Sequence, residues 1–231
     1  FSVPPFIQQQ RRPRHLILIG QRSVFRLCNV DNAKAHLPGP DLPGSKNFCT
    51  ALRKKAPWVV SIVQNINPTL SSAVLGNREK TLYGPGFVLD TLCGLQFAIS
   101  SRSFYQVNPR QTEVLYRQAI ELAGFTGAEH AIDAYCGTGT IGLVAASMGA
   151  AQVTGVDCVE SSIRDARQNA RHNGVDNARF AVADAGAFMR DMAAQAAAGG
   201  RAGTDEEGRP LVLLMDPPRA GSTEEFLRAA V

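Results

Sequence analysis

The 231-residue sequence predicts an α/β chain: an open parallel sheet with helices on both faces, preceded by a small mixed α/β module. Three observations carry this. Strand-like and helix-like stretches alternate from Asn108 onward, a glycine-rich turn follows the first of these strands, and successive strands end at aspartate. At 45% apolar and 19% charged residues the chain can bury a sizeable core. Its apolar runs, such as residues 16–19 and Leu211–Met215, fall short of the roughly 20 residues that span a bilayer, and no charged segment leads into an apolar one at its start. A cytoplasmic protein with no membrane partner is expected.

Residues 1–100 form the first predicted module. Apolar stretches at 16–19 and 24–27 are followed by the turn-rich Gly39-Pro40-Asp41-Leu42-Pro43-Gly44. Residues 45–56 read as a short helix ending in Arg53-Lys54-Lys55, and the β-branched 59–63 as a strand. Two more short strands are expected at 86–89 and 96–99, bracketed by glycines. The second module, 101–231, opens on a helix with Asn108 as N-cap and Pro109 at its first position. Its apolar stripe is Leu115, Ala119, Leu122 and Ala123, and Gly124 closes it. Strands at 130–135, 152–157, 179–183 and 211–215 then alternate with helices at 140–148, 161–172, 186–198 and 223–230. Such alternation means parallel strands joined by right-handed crossovers. Residues 199–210, rich in glycine and charge and without periodicity, read as a mobile surface insertion.

Charge divides along the same line. Residues 1–100 hold 12 Lys+Arg against 4 Asp+Glu, and residues 101–231 hold 12 against 16. The first module therefore suits a polyanion, with Arg11, Arg12, Arg14, Arg53, Lys54 and Lys55 as its phosphate contacts. Five cysteines, an odd number with no C-x-x-C pair, argue against a disulfide framework and give no zinc-ligand spacing, so no metal is expected. An opening at Phe1 suggests that a starting segment has been removed.

Ligands of an open α/β sheet bind beyond the carboxyl ends of its strands. Here those ends carry Asp133-Ala134-Tyr135-Cys136-Gly137-Thr138-Gly139-Thr140, then Asp157, Asp184 and Asp216. Gly137-x-Gly139-x-x-Gly142, with Asp157 placed to hold a ribose diol, satisfies a dinucleotide fingerprint, so an NAD-dependent dehydrogenase is one reading. Asp133, inside the strand before the loop, would repel a pyrophosphate but could order the loop around a cationic, phosphate-free ligand such as S-adenosyl-L-methionine (SAM). The fourth strand leads into Asp216-Pro217-Pro218-Arg219, a turn that two prolines stiffen at the pocket. Arg219 stands where exocyclic-amine methyltransferases carry a base-stacking aromatic, which points to another target atom.

Four segments together resemble the bacterial RNA uracil-C5 methyltransferases, the 23S ribosomal RNA branch most of all. They are Ser103-Phe104-Tyr105-Gln106-Val107-Asn108-Pro109, Asp133 to Gly139, Asn169-Ala170-x-x-Asn173-Gly174, and Asp216-Pro217-Pro218-Arg219-Ala220-Gly221. The resemblance covers residues 100–226 well, 57–99 faintly and 1–50 poorly. It implies a Rossmann-like SAM-dependent methyltransferase fold, with Gln106, Tyr135, Thr140, Asp157, Asp184 and Asp216 lining the SAM pocket and Phe104 stacking on a flipped-out uracil. Asp157 and Thr140 stand where the family more often has Glu and Asn. It further implies a cysteine nucleophile that adds to uracil C6 and a carboxylate base that removes the C5 proton, both expected beyond Val231. None of Cys28, Cys49, Cys93, Cys136 and Cys158 matches the nucleophile's place. The family's N-terminal RNA-binding barrel, and the iron–sulfur cysteines of some members, are not matched either, so the expectation is a monomeric fragment cut at both ends, inactive by itself. Ribosomal RNA is the favoured partner. Transfer RNA is an alternative substrate, and a non-catalytic module that binds SAM and RNA is an alternative of a different class.

Overall fold

The structure, a computed structural model, describes residues 15–20, 26–27, 42–66, 76, 78–106, 108–198 and 203–230. Two compact units emerge, residues 1–89 and 90–231. Arg11, Arg12, Arg14, Cys28 and the expected features at 24–25, 39–41 and 199–202 lie outside the described residues.

The first unit holds a four-stranded sheet in the order β2-β1-β3-β4, built from β1 (His15–Gly20), β2 (Arg26–Leu27), β3 (Val59–Ile66) and β4 (Arg78–Tyr83), with α1 (Ser45–Lys55) between β2 and β3 in sequence. β1 and β3 run parallel, while β4 pairs antiparallel to β3. A small core forms where Cys49 of α1 meets Val59 and Ile62 of β3, with Phe48, Leu52 and Tyr83 packed around them. Arg53, Lys54 and Lys55 fill the last turn of α1, where cations complement the helix dipole. β4 was not expected, because Arg78-Glu79-Lys80 shows no alternation. It is an edge strand whose exposed charges discourage further pairing.

The chain passes from the first unit to the second within β5 (Phe87–Leu92), which forms a hairpin with β6 (Leu95–Ser100), turned at Cys93-Gly94 with positive φ at both residues (50° and 87°). After α2 (Pro109–Ala123) come β7 (His130–Ala134), α3 (Thr140–Ser147), β8 (Gln152–Asp157), α4 (Glu160–His172), β9 (Ala178–Val182), α5 (Ala185–Ala198), β10 (Leu211–Met215) and α6 (Glu224–Ala229). All four strands are parallel, in the order β10-β7-β8-β9. Strand order therefore reverses between β7 and β10, the point at which such sheets open a crevice for ligand. This is the expected Rossmann-like α/β fold. Ile132, Ala134 and Val156 of the sheet are sealed by Ala185 and Met189 of α5 and Phe226 of α6.

Two expectations are corrected. Residues 203–210 are held in place, not loose: Asp205 accepts from the backbone N and the Nε of Arg209 (2.8 and 2.6 Å) and pairs with Nδ1 of buried His130 at 2.9 Å. A long-range partner does what local sequence could not announce. On α2 the buried face is Thr112, Tyr116 and Ile120, whereas Leu115 and Leu122 are 58% and 85% exposed. Both stripes have helical spacing, and the one that turns inward carries Tyr116, whose hydroxyl shares a hydrogen bond with Thr140 of α3.

Candidate functional site

The site is built where the carboxyl ends of β7, β8 and β10 come together. Asp133 sits on β7 at 1% exposure, because its Oδ2 accepts the Gly142 N–H at 2.8 Å and so ties the strand to the first turn of α3. Its Oδ1 is buried with no hydrogen-bond partner. Burial, with Asp157 and Asp216 nearby, pushes its pKa up to about 7. A Cβ at Gly142 would lie 2.8 Å from that carboxylate and 3.0 Å from Val153, so only glycine lets helix and strand approach this closely. Gly139 (φ +78°) is under the same constraint, with the Phe180 ring at 2.8 Å from where its Cβ would stand.

Ahead of these glycines the chain turns sharply as it leaves β7. Tyr135 adopts φ 62°, a left-handed conformation that a side chain enters at a cost, and its ring packs on Phe226 at 5.6 Å between centroids. Asp157 ends β8 half-buried, its Oδ2 accepting the Gly137 N–H (3.0 Å) and its Oδ1 the Val159 N–H (2.8 Å). One carboxylate thus holds the glycine loop against the start of α4, and each oxygen keeps a further lone pair for a ligand hydroxyl. Asp184 is exposed and caps α5, its Oδ1 accepting the Ala187 N–H at 2.9 Å. Thr140, at the start of α3, shares a 2.9 Å hydrogen bond with Tyr116 of α2, whose hydroxyl pKa burial raises to about 12. Gln106 donates to Asp216 Oδ2 at 3.2 Å, so the loop before α2 and the end of β10 meet. Phe104 is 68% exposed, which excludes a core role and leaves its ring available to a planar ligand.

Side chains that sequence reasoning quoted only as motif letters turn out to hold this arrangement. Asn169, fully buried on α4, accepts the Ala98 N–H of β6 (2.9 Å) and donates to the Thr138 carbonyl of the glycine loop (3.2 Å). Asn173 repeats the clasp one turn on, bonding both the N–H and the carbonyl of Gln96. Asp165 accepts from Ser100 and Ser103, fixing the chain that presents Phe104 and Gln106. The spacing of Asn169 and Asn173 on one helix face was the available signal.

The chemistry of the site is that of an acidic cradle. The Gly137 and Gly142 amides, which a pyrophosphate would need, already point at carboxylates, so the dinucleotide reading loses its phosphate-binding groups. Cys136 is buried and its thiol pKa is raised far above the usual range by desolvation and by Asp133 and Asp157. That makes it a poor nucleophile. Among the described residues no three His, Cys, Asp or Glu side chains gather as metal ligands, no disulfide forms, and no helix is long and apolar enough to cross a membrane.

Residues 126–197 match the family model described as a methyltransferase domain. The chain is 46% identical over 190 residues to an uncharacterized RNA methyltransferase of Halalkalibacterium halodurans, an alignment covering 82% of this chain and 39% of that protein. It is 43% identical over 195 residues to one of Lactiplantibacillus plantarum, covering 84% and 39%. The chain thus spans about two fifths of the length of the curated relatives it matches. Among solved structures, the tRNA (uracil-54, C5)-methyltransferase of Pyrococcus abyssi in complex with S-adenosyl-L-homocysteine superposes with a TM-score of 0.57 at 29% identity, over 74% of this chain and 38% of that one. A SAM-dependent methyltransferase of Agrobacterium tumefaciens shares the fold, with a TM-score of 0.50 at 20% identity over 89% and 60% of the two chains.

Proposed function

From a methyltransferase domain and a kinship with bacterial RNA methyltransferases, we propose that this chain is the SAM-binding part of an enzyme that methylates uracil C5 in RNA, with ribosomal RNA as the favoured substrate. The single observation that carries the cofactor reading is the commitment of the Gly137 loop amide to Asp157 and of the Gly142 amide in the first turn of α3 to Asp133, which suits a cation and disfavours a pyrophosphate. The orphaned Oδ1 of Asp133 fits the same conclusion, being a buried acceptor beneath the loop. Asp157 would accept from the ribose hydroxyls, Asp184 would face the adenine side from the start of α5, and Tyr135 and Thr140 would line the loop. Gln106 and Asp216, already in contact, would border the end from which the methyl group leaves.

SAM supplies an electrophilic methyl group when bound. The residues here bind and orient it, and Phe104 would recover part of the unstacking energy of an extruded base, roughly 1–3 kcal/mol for an aromatic platform. The likeness to a tRNA (uracil-54, C5)-methyltransferase supports the uracil target and keeps transfer RNA as a second substrate reading. Among the described cysteines, Cys49, Cys93 and Cys136 all have thiol pKa values raised by burial, which is not how a C6-attacking thiolate is prepared. We therefore assign no nucleophile within the described residues, and the chain alone would bind both ligands without turnover.

The test incubates the chain with methyl-labelled SAM and either unmodified ribosomal RNA or transfer RNA, beside calorimetry of SAM binding. SAM binding without label in RNA is the expected result. Formation of 5-methyluridine would mean that a cysteine present here, with exposed Cys158 the first to substitute, acts as nucleophile.

A further inference from the structure

Phe104 belongs to the second unit and is 68% exposed, so the backbone on either side of it, more than packing, sets the direction of its ring. Downstream, the bond from Gln106 to Asp216 is 3.2 Å long and solvent-exposed, where water competes for both partners. Upstream, Ser103 is buried and closes a turn, its N–H bonding the Ser100 carbonyl at 3.2 Å. Its hydroxyl oxygen also accepts the Ser100 N–H at 3.1 Å. The Ser100 and Ser103 hydroxyls lie 2.8 Å apart, and both converge on one oxygen, Oδ2 of Asp165 on α4, at 2.9 and 3.0 Å. Three contacts thus share two hydroxyl protons. However the protons point, Asp165 must take at least one of them if neither is to be left unpaired beside buried Ser103. The helix that carries Asp165 starts at the Asp157 carboxylate, which holds the Val159 N–H, and through Asn169 it holds the Thr138 carbonyl of the glycine loop. The Phe104 segment and the cofactor cradle therefore hang on one helix.

We propose that Asp165 is a positioning residue for the RNA base: its Oδ2, acting through Ser103, holds Phe104 at a set place relative to the glycine loop, so that the ring meets an extruded base without first being ordered. This rests on the proposed function and deepens it by naming the group that prepares its stacking residue. Asp165 itself touches neither SAM nor RNA. What position 165 must supply is an acceptor and not a charge, because a single oxygen serves both hydroxyls.

Anisotropy of a labelled single-stranded oligouridylate, with calorimetry of SAM on each variant, tests this. Phe104→Ala should weaken oligouridylate binding roughly 5- to 150-fold. Asp165→Ala should weaken it about 3- to 10-fold, the cost of ordering a side chain on binding, while SAM affinity moves by less than about 2-fold. Asp165→Asn keeps an oxygen and should restore most of the loss. In a Phe104→Ala chain, Asp165→Ala should cost nothing further, because its effect passes through the ring. Ser103→Ala removes the same bond from the other side; it should copy Asp165→Ala, and it takes that variant's place if Asp165→Ala does not fold. Equal losses from Asp165→Ala with and without the Phe104 ring would make the bond a prop of the fold alone and overturn the proposal. Unweakened binding by a folded Asp165→Ala chain would do the same, and both results leave the RNA reading intact. Absence of oligouridylate binding by the unmodified chain would overturn the RNA reading as well, and SAM binding would then stand alone.

Discussion

Asp133 joins two features that rarely coexist at one residue: an oxygen holding a helix amide and a second oxygen buried without a partner. Its pKa of about 7 in the fold lies above the ordinary carboxyl value of 3.8, so the unfolded chain releases that proton first. The group therefore weakens the fold increasingly as pH rises from about 4 to about 7, by about 1.4 kcal/mol per unit within that window. Asp133→Asn should accordingly raise the melting temperature more at pH 8 than at pH 5, because below its folded pKa the acid is already neutral. Equal gains at both pH values, read by thermal denaturation, would show that burial does not hold the proton there. The same substitution should weaken SAM at pH 8, where the acid is ionised and its charge lies beneath the loop, and much less at pH 5. Asp133 was legible from its place in the strand, but nothing in the sequence indicated that only one of its oxygens would be used.

At the scale of elements, α4 does more than cover the sheet. Asn169 and Asn173 replace missing strand partners along β6, and Asn169 also reaches the glycine loop, so one helix joins the hairpin, the loop and the Phe104 segment. Asn169→Ala leaves the Ala98 N–H and the Thr138 carbonyl unpaired in a dry site and should destabilise the second unit by about 2–4 kcal/mol, measured by urea unfolding. A change below about 0.5 kcal/mol would mean that water replaces both bonds. The alternation from α2 to α6 could be read from sequence to within a few residues, since apolar period and punctuation by Gly and Pro are local signals. β4 could not, because Arg78-Glu79-Lys80 is shaped by edge protection and not by burial. Nor could the turn at 203–210, whose order depends on His130, distant in sequence.

Over the whole molecule the sequence divides by charge and by chemistry in the same direction. The basic first hundred residues suit a polyanion, and the acidic remainder holds the strand-end carboxylates that suit a cation. The fold places Asp133, Asp157 and Asp216 at the carboxyl ends of three neighbouring strands of one sheet and joins Gln106 to Asp216. The roles of individual carboxylates were less legible: Asp157 clamps the loop and Asp184 caps a helix, tasks that depend on backbone amides brought near only by folding. The most direct test of the central claim is calorimetry of SAM and NAD on the unmodified chain and on Asp157→Ala. SAM should bind the unmodified chain and lose at least about 10-fold in affinity in the variant, given about 1.5–3 kcal/mol per hydrogen bond to a charged acceptor. NAD should bind neither. Unchanged SAM affinity in Asp157→Ala, or tighter binding of NAD than of SAM, would contradict the account.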